Sequence, residues 1–272
     1  SKSRARFSTA PQSTSKAKIN LFAVLRNLED LCAMDKESAD IIKDTKLSVQ
    51  FNVPDVGSAT IDFDHGKCTF NRGKKHAGLQ LFFTSAEHFN NLIDPPKDAN
   101  GKPKTVIPIF YNVFKAGFLL NQFTKLADRL SYYLQPAADK KAELLKDPEY
   151  FKINTTLTLY TALFALCEVA NSDKVGKLCA KRMCDGKIAA GIPGGPQLNI
   201  TVKDHKLYGA KGAIDDWSAQ MFFSNMEFAH DLLNGDASSF GGMGSGDFQV
   251  RGRLDMLEQM AKMLNLVSAY LG

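Results

Sequence analysis

The chain contains nearly the same twelve residues twice, about half its length apart. Residues 82–93 read FFTSAEHFNNLI and residues 222–233 read FFSNMEFAHDLL. A repeat at that spacing in a chain of 272 residues predicts two units of ordinary domain size, since domains usually hold ~100 to 200 residues. The repeat therefore limits the chain to folds that can be built twice.

The repeated segment predicts a strand that turns into a helix. Apolar residues alternate before it, as expected of a half-buried strand. Thr84 and Ser224 then stand at the expected N-cap position, and a glutamate follows three residues later in both copies, which is the spacing of a capping box. Apolar residues at helical spacing continue from there.

The similarity extends in both directions. An amphipathic helix and two alternating strands are predicted before each corner, and a closing helix after it, with NQFTKLADRLSYYL at 121–134 matching EQMAKMLNLVSAYL at 258–271. This register divides the chain into four parts. They are a basic polar arm (1–18), a first repeat (19–134), a charged linker with two prolines (135–154) and a second repeat (155–272).

The second repeat resembles the sterol carrier protein lipid-transfer family. That family has a helix ending near a glycine, a stretch of small residues, a strand of the G-x-hydrophobic-x-hydrophobic-x-G type and a closing helix. The segment LLNGDASSFGGMGSGDFQVRGRLDMLEQMAKML at 232–264 follows this order. The positions that match are Gly235, Gly246, Phe248, Val250 and Gly252. The resemblance covers residues 186–271 and, through the internal repeat, residues 47–134.

The resemblance implies an α+β fold of two tandem sterol-carrier-like domains. Each would be a mostly antiparallel five-stranded sheet packed by helices, with an apolar tunnel for an acyl lipid or a sterol. The tunnel lining implied in the second repeat is Phe240, Met243, Phe248, Met256, Met260, Met263 and Leu264. Methionine and phenylalanine suit a pocket for flexible chains. The alternative is that these residues simply fill a core.

The first repeat departs from the family pattern. Its segment IPIFYNVFKAG at 107–117 lacks the small residues and the first glycine, and a longer, charged loop precedes it. Lipid binding is therefore expected mainly in the C-terminal repeat.

Charge and motifs argue against several other functions. The net charge of +5 comes entirely from the arm, whereas the rest of the chain is balanced, so no basic stripe for nucleic acid is expected. GGMGSGD at 241–247 leads into a strand and has no following Lys-Ser or Lys-Thr, which argues against a phosphate loop. No nucleophile with a base and no metal-ligand spacing is found, which predicts a protein that is not an enzyme and has no cofactor or metal.

The two ends of the chain and its cysteines indicate a cellular location. Five cysteines match no disulfide framework, which favours a reducing intracellular compartment. The basic, serine-rich arm resembles a mitochondrial targeting segment, and the ending SAYLG is not a peroxisomal signal.

A second hypothesis is a structural subunit of a larger assembly with a vestigial pocket. The arm and the apolar helix at 157–170 would then contact protein partners. That helix is too short to cross a bilayer of ~30 Å.

Overall fold

The computed structural model describes residues 9–271, apart from the side chains of residues 9–12, 239 and 240. The chain divides into two compact units, Ser1–Lys146 (unit 1) and Asp147–Gly272 (unit 2). Each unit has its own sheet and its own buried apolar core.

Unit 1 packs helices on a four-stranded sheet. A π turn (Asn20–Val24) and a 3₁₀ turn (Leu25–Asn27) join its first two helices, and a 3₁₀ turn (Val113–Lys115) and a π turn (Leu119–Phe123) flank α5. The elements in chain order are α1 (Thr9–Ile19), α2 (Leu28–Met34), α3 (Lys36–Ile41), β1 (Lys46–Val53), β2 (Gly57–Asp64), β3 (Lys67–Arg72), β4 (Leu79–Phe82), α4 (Ala86–Ile93), α5 (Ala116–Phe118), α6 (Thr124–Leu134) and α7 (Lys141–Leu144).

Unit 2 packs helices on a five-stranded sheet. Its elements are α8 (Pro148–Ser172), α9 (Lys174–Lys181), β5 (Gly186–Gly191), β6 (Gln197–Lys203), β7 (Lys206–Lys211), β8 (Ala219–Phe223), α10 (Met226–Leu233), α11 (Ser239–Ser245), β9 (Phe248–Gly252) and α12 (Leu254–Leu271).

Both sheets are mixed and have the same strand order. The order is β3-β2-β1-β4 in unit 1 and β7-β6-β5-β8-β9 in unit 2. The first strand of each unit pairs antiparallel with the second and parallel with the fourth. The predicted α+β class is confirmed, and each sheet combines antiparallel pairs with one parallel pair. Five strands are found in unit 2 and four in unit 1.

A single residue pair stands in unit 1 where a fifth strand was predicted. Ile109 and Phe82 exchange two backbone hydrogen bonds of 2.8 Å each, and the ladder goes no further. Pro108 precedes Ile109 and has no N–H to donate, which limits strand formation. In unit 2, β9 pairs with β8 over five positions.

Both corners are capped one residue later than predicted. Ser85 Oγ accepts a hydrogen bond of 3.0 Å from the His88 N–H, and Asn225 Oδ1 accepts one of 2.8 Å from the Phe228 N–H. Thr84 and Ser224 are therefore not the N-caps. Ser and Asn rank with the best capping residues, so the later position satisfies the first turn equally well.

The second half of the predicted arm (1–18) is helical in the structure. Residues 9–18 belong to α1, and Ala17 and Ile19 are fully buried there. The Asn90 side chain of α4 donates a hydrogen bond of 3.1 Å to the Ser13 carbonyl and accepts one of 2.9 Å from Asn20. These contacts order a segment whose composition alone favours a solvated arm. Residues 1–8 of the predicted arm lie outside the described residues.

The predicted linker overlaps the start of α8. Asp147 Oδ1 accepts a hydrogen bond of 3.1 Å from the Glu149 N–H, and Pro148 occupies the first turn, which together make a standard helix start. Residues 148–154 are therefore helical. The helix is longer than the segment 157–170 suggested, with 25 residues. Over the described residues, α8 alone is long and apolar enough to cross a membrane, yet 89% of its apolar window is buried inside the protein. It is a core helix, so residues 157–170 offer little surface to a partner.

A buried ion pair joins α3 to α6 in unit 1. Asp35 caps α3 and accepts two hydrogen bonds of 2.9 Å from Arg129 and one of 3.1 Å from the Tyr133 hydroxyl. The Asp35 side chain is 8% exposed and that of Arg129 is 19% exposed. Burial alone would raise the pKa of Asp35, but hydrogen bonds from Arg129, Ser38 and Tyr133 outweigh it and hold that pKa below its usual value.

Candidate functional site

The closing helix of unit 2 turns a row of methionines inward. Met256, Met260 and Met263 are completely buried and lie four and three residues apart, so they share one face of α12. We call these three residues the methionine face. The helix packs against α8, α9 and β8. Its last turn is fixed by the Tyr270 hydroxyl, which donates a hydrogen bond of 2.6 Å to Asp173.

Three phenylalanines from three elements form a second apolar group. Phe223 of β8 stacks on Phe248 of β9 with ring centroids 5.4 Å apart. Phe228 of α10 lies 6.4 Å from Phe223 and 6.5 Å from Phe248. We call this group the phenylalanine cluster. Its members come from the repeated corner and from the strand that pairs with it, so the β8–β9 ladder sets their spacing.

The glycine-rich helix α11 lies against this cluster. A Cβ added to Gly242 would come within 2.2 Å of the Phe228 ring, so only glycine permits the observed approach. The helix sequence SFGGMGS has three glycines, and each costs ~1 kcal/mol relative to alanine. Ser238 caps its N-terminus by accepting a hydrogen bond of 3.0 Å from the Gly241 N–H. Packing and one cap thus hold a helix that its own sequence disfavours.

An open cleft of about 250 Å³ lies beside α11 and β9. Apolar side chains and one guanidinium share its wall. Arg251 is exposed there and supplies a positive charge to the wall of the cleft. The lining residues are Met243, Gly246, Phe248, Gln249, Val250 and Arg251.

The residues predicted to line a tunnel fall into two places. Met243 and Phe248 line the cleft. The methionine face belongs to the packing of α12, and Leu264 is half-buried beyond it. The side chain of Phe240 lies outside the described residues. Their assignment to one tunnel stays a prediction.

The interior of unit 2 contains several buried polar atoms without a hydrogen-bond partner among the described residues, including two adjacent threonine hydroxyls on α8. Two further atoms lie on α10 and α12. Gln259 Oε1 and His230 Nε2 have no hydrogen-bond partner among the described residues. Gln259 is 4% exposed and His230 is 8% exposed. A buried polar group without a partner costs about 1–3 kcal/mol, and such groups call for a ligand or a water. Gln259 stands between Met256 and Met260 on α12, so it shares their side of the helix.

Sequence reasoning missed both polar atoms. An apolar stripe in a sequence indicates what is buried, but it does not show whether an interspersed polar residue finds a partner. A glutamine within the methionine stripe of α12 was the available signal.

The described residues contain no group of three or more His, Cys, Asp or Glu side chains that could hold a metal ion. All five cysteines are free thiols, and four of them are buried.

No protein-family model matches the chain. No curated protein sequence matches it either.

Solved sterol carrier protein structures are similar to part of the chain. Domain 2 of the sterol carrier protein of Helicoverpa armigera is 14% identical with a TM-score of 0.34, and the match covers 41% of this chain and 89% of that one. The ubiquinone synthesis protein UbiJ-SCP2 is 12% identical with a TM-score of 0.31, covering 38% and 85%. Palmitated SCP2L2 of Aedes aegypti is 13% identical with a TM-score of 0.29, covering 39% and 90%. At these scores we take the fold from the strand order of the chain itself.

Proposed function

We propose that unit 2 is a non-enzymatic binder of an acyl lipid or a sterol. The observation that carries the proposal is the glycine-rich helix α11 lying against Phe228 of the phenylalanine cluster, beside an open cleft. Movement of α11, which carries Met243, away from Phe228 would uncover the apolar rings of the phenylalanine cluster. Each ligand methylene buried there is worth ~0.8 kcal/mol.

The polar groups suggest how the ends of a ligand are held. Arg251 at the cleft would pair with the carboxylate of a fatty acid, because guanidinium and carboxylate groups form charge-assisted hydrogen bonds. Gln259 Oε1, buried without a partner among the described residues, would accept a hydrogen bond from a ligand hydroxyl. The methionine face would repack around the apolar body between them.

The first test is native mass spectrometry of the full purified chain, followed by organic extraction. We expect one co-purifying lipid per chain, because the proposed site lies in unit 2 alone. The same measurement on Phe248→Ser should show a smaller bound fraction, whereas Tyr208→Ser, an exposed aromatic on β7 (55% exposed), should behave as the wild type. A ligand-free wild type that also takes up no added fatty acid or sterol would contradict the proposal.

A second candidate is a structural subunit of a larger assembly with a vestigial pocket. Complete burial of the methionine face by the protein's own residues favours it. In this case the chain would co-purify with other subunits, and the basic N-terminal segment would contact them. A chain that is monomeric and lipid-loaded in cell extracts would argue against this candidate.

We also propose that the two units arose by duplication. The shared strand order and the parallel pairing of first and fourth strands support this proposal.

We propose in addition that the protein works in a reducing compartment, with the mitochondrial matrix first to be tested. The free thiols support a reducing compartment. Localisation of a C-terminal fluorescent fusion tests the proposed location.

A further inference from the structure

Unit 1 has a large apolar surface in the place where unit 2 has its fifth strand. The segment 107–120, which we call the apolar loop, runs from the single Ile109–Phe82 pair into the first turns of the closing helix. Its exposed side chains are Phe114 (100% exposed), Tyr111 (83%), Leu120 (77%), Val113 (75%), Ile107 (63%) and Ile109 (43%). Several large apolar side chains exposed within one short segment indicate an interaction site.

The fold holds the apolar loop in place at several points. His88 Nδ1 accepts a hydrogen bond of 3.1 Å from the Thr84 N–H, so Nε2 carries the proton and donates to the Ile107 carbonyl at 3.0 Å. The Tyr111 ring packs edge-on against Phe82 at 6.0 Å. These contacts fix the first half of the apolar loop, residues 107–111, which lowers the entropy cost of binding there.

Positive charge flanks the apolar loop along the sequence. Between residues 95 and 127 the only acid is Asp98, whose carboxylate accepts the N–H groups of Asn100 and Lys102 inside a turn. The same stretch has no arginine and five lysines, Lys97, Lys102, Lys104, Lys115 and Lys125. The chain after residue 18 is balanced in charge, so this excess is a local property of unit 1.

We propose that the apolar loop docks unit 1 on an anionic lipid surface. Exposed aromatic and aliphatic side chains enter the boundary between headgroups and acyl chains, while lysines with long stems reach the anionic headgroups. Protein interfaces are instead enriched in arginine and depleted in lysine, which disfavours a protein as the occupant. The inference stands independently of lipid burial in unit 2, because it uses only residues of unit 1.

The test is sedimentation of the full chain with two kinds of vesicle, pure phosphatidylcholine and phosphatidylcholine with about one third phosphatidylserine. We expect binding to the anionic vesicles that falls as salt is raised. Phe114→Ser should weaken it about tenfold or more, because a fully exposed phenylalanine contributes only in the bound state. Lys102→Gln with Lys104→Gln should weaken it about tenfold at low salt.

Matched controls separate this site from a general effect of the substitutions. Tyr208→Ser removes an exposed aromatic from unit 2, and Lys203→Gln with Lys206→Gln removes two exposed lysines from the β6–β7 hairpin. Both variants should bind as the wild type does. Unchanged thermal unfolding of Phe114→Ser would show that its loss of binding is not a loss of fold.

A depth measurement adds a direct readout. The chain has one tryptophan, Trp217, so Phe114→Trp in a Trp217→Phe background provides a single reporter. Brominated lipids should quench this tryptophan in anionic vesicles only.

Three outcomes would overturn the proposal. They are no wild-type binding to anionic vesicles, equal binding by Phe114→Ser, and an unquenched tryptophan at position 114. Self-association abolished by Phe114→Ser, without vesicle binding, would assign the surface to a second copy of the chain instead.

Discussion

Single residues decide whether the interior of unit 2 is a core or a binding site. In a core, Gln259 is a defect, because its Oε1 is buried without a partner among the described residues. In a site that binds a hydroxylated ligand, the same atom would accept a hydrogen bond from the ligand hydroxyl. A substitution of Gln259 therefore distinguishes a packed core from a binding site.

We predict that Gln259→Met raises the stability of the ligand-free protein by about 1 kcal/mol, since it removes an unsatisfied polar atom at similar volume. The same change should weaken binding of a fluorescent sterol about tenfold. A sterol that lacks the hydroxyl is the control and should lose no affinity. Thermal unfolding and fluorescence titration measure the two effects, and equal affinity for the hydroxylated sterol would leave only the core role.

Asp35 predicts a pH dependence in unit 1. Its pKa in the folded protein is lowered, so its contribution is fully present above the unfolded pKa of about 3.9 and is lost as pH falls through the folded value. Asp35→Asn should cost about 2 kcal/mol at neutral pH, because Arg129 loses its buried carboxylate and keeps only that of the exposed Glu37, 3.1 Å away. Thermal unfolding between pH 7 and pH 2 should show the wild type and Asp35→Asn converging in acid. A difference that stays constant with pH would contradict this account.

At the scale of elements, the glycines of helix α11 affect how easily a ligand could enter the cleft beside it. Its glycines allow close approach to Phe228 and also weaken the helix. Two of these glycines have opposite surroundings. A Cβ on Gly242 would collide with the Phe228 ring, whereas a Cβ on Gly244 would meet nothing within 4 Å.

We predict opposite effects of one added methyl group at these positions. Gly242→Ala should push α11 away from Phe228 and speed the exchange of a fluorescent fatty acid about tenfold or more. Gly244→Ala should stabilise α11 by up to about 1 kcal/mol and slow the same exchange. Stopped-flow displacement measures both rates. Equal rates in the two variants would show that α11 does not control access.

The elements also show what could be predicted from the sequence. The strand-to-helix corners could be predicted because the alternating apolar residues before them and the helically spaced apolar residues after them both occur twice in the sequence. Helix α1 was missed because its residues are polar and contacts with Asn90 order it. The fifth strand of unit 1 was wrongly expected because the repeat argues for it, while Pro108 limits its hydrogen bonding to one pair. The phenylalanine cluster depends on three segments meeting in space, which no local pattern reports.

At the scale of the molecule, the two units have separate cores and separate sheets. Calorimetry of the full chain should therefore show two unfolding transitions. Asp35→Asn should lower only the transition of unit 1, and Gln259→Met should raise only that of unit 2. A single cooperative transition that both substitutions shift would contradict independent folding.

The parallel pairing of first and fourth strands affects how the chain reaches its native state. Strand β1 finds β4 about thirty residues later, and β5 finds β8 at the same distance. Because the corners are alike, β1 and β5 each meet two similar candidate partners when a denatured chain is diluted into buffer. On the ribosome this competition is reduced, since unit 1 is complete before β8 is made. We therefore expect newly synthesised protein to reach the native state in higher yield than refolded protein, with exchanged fourth strands among the products of refolding.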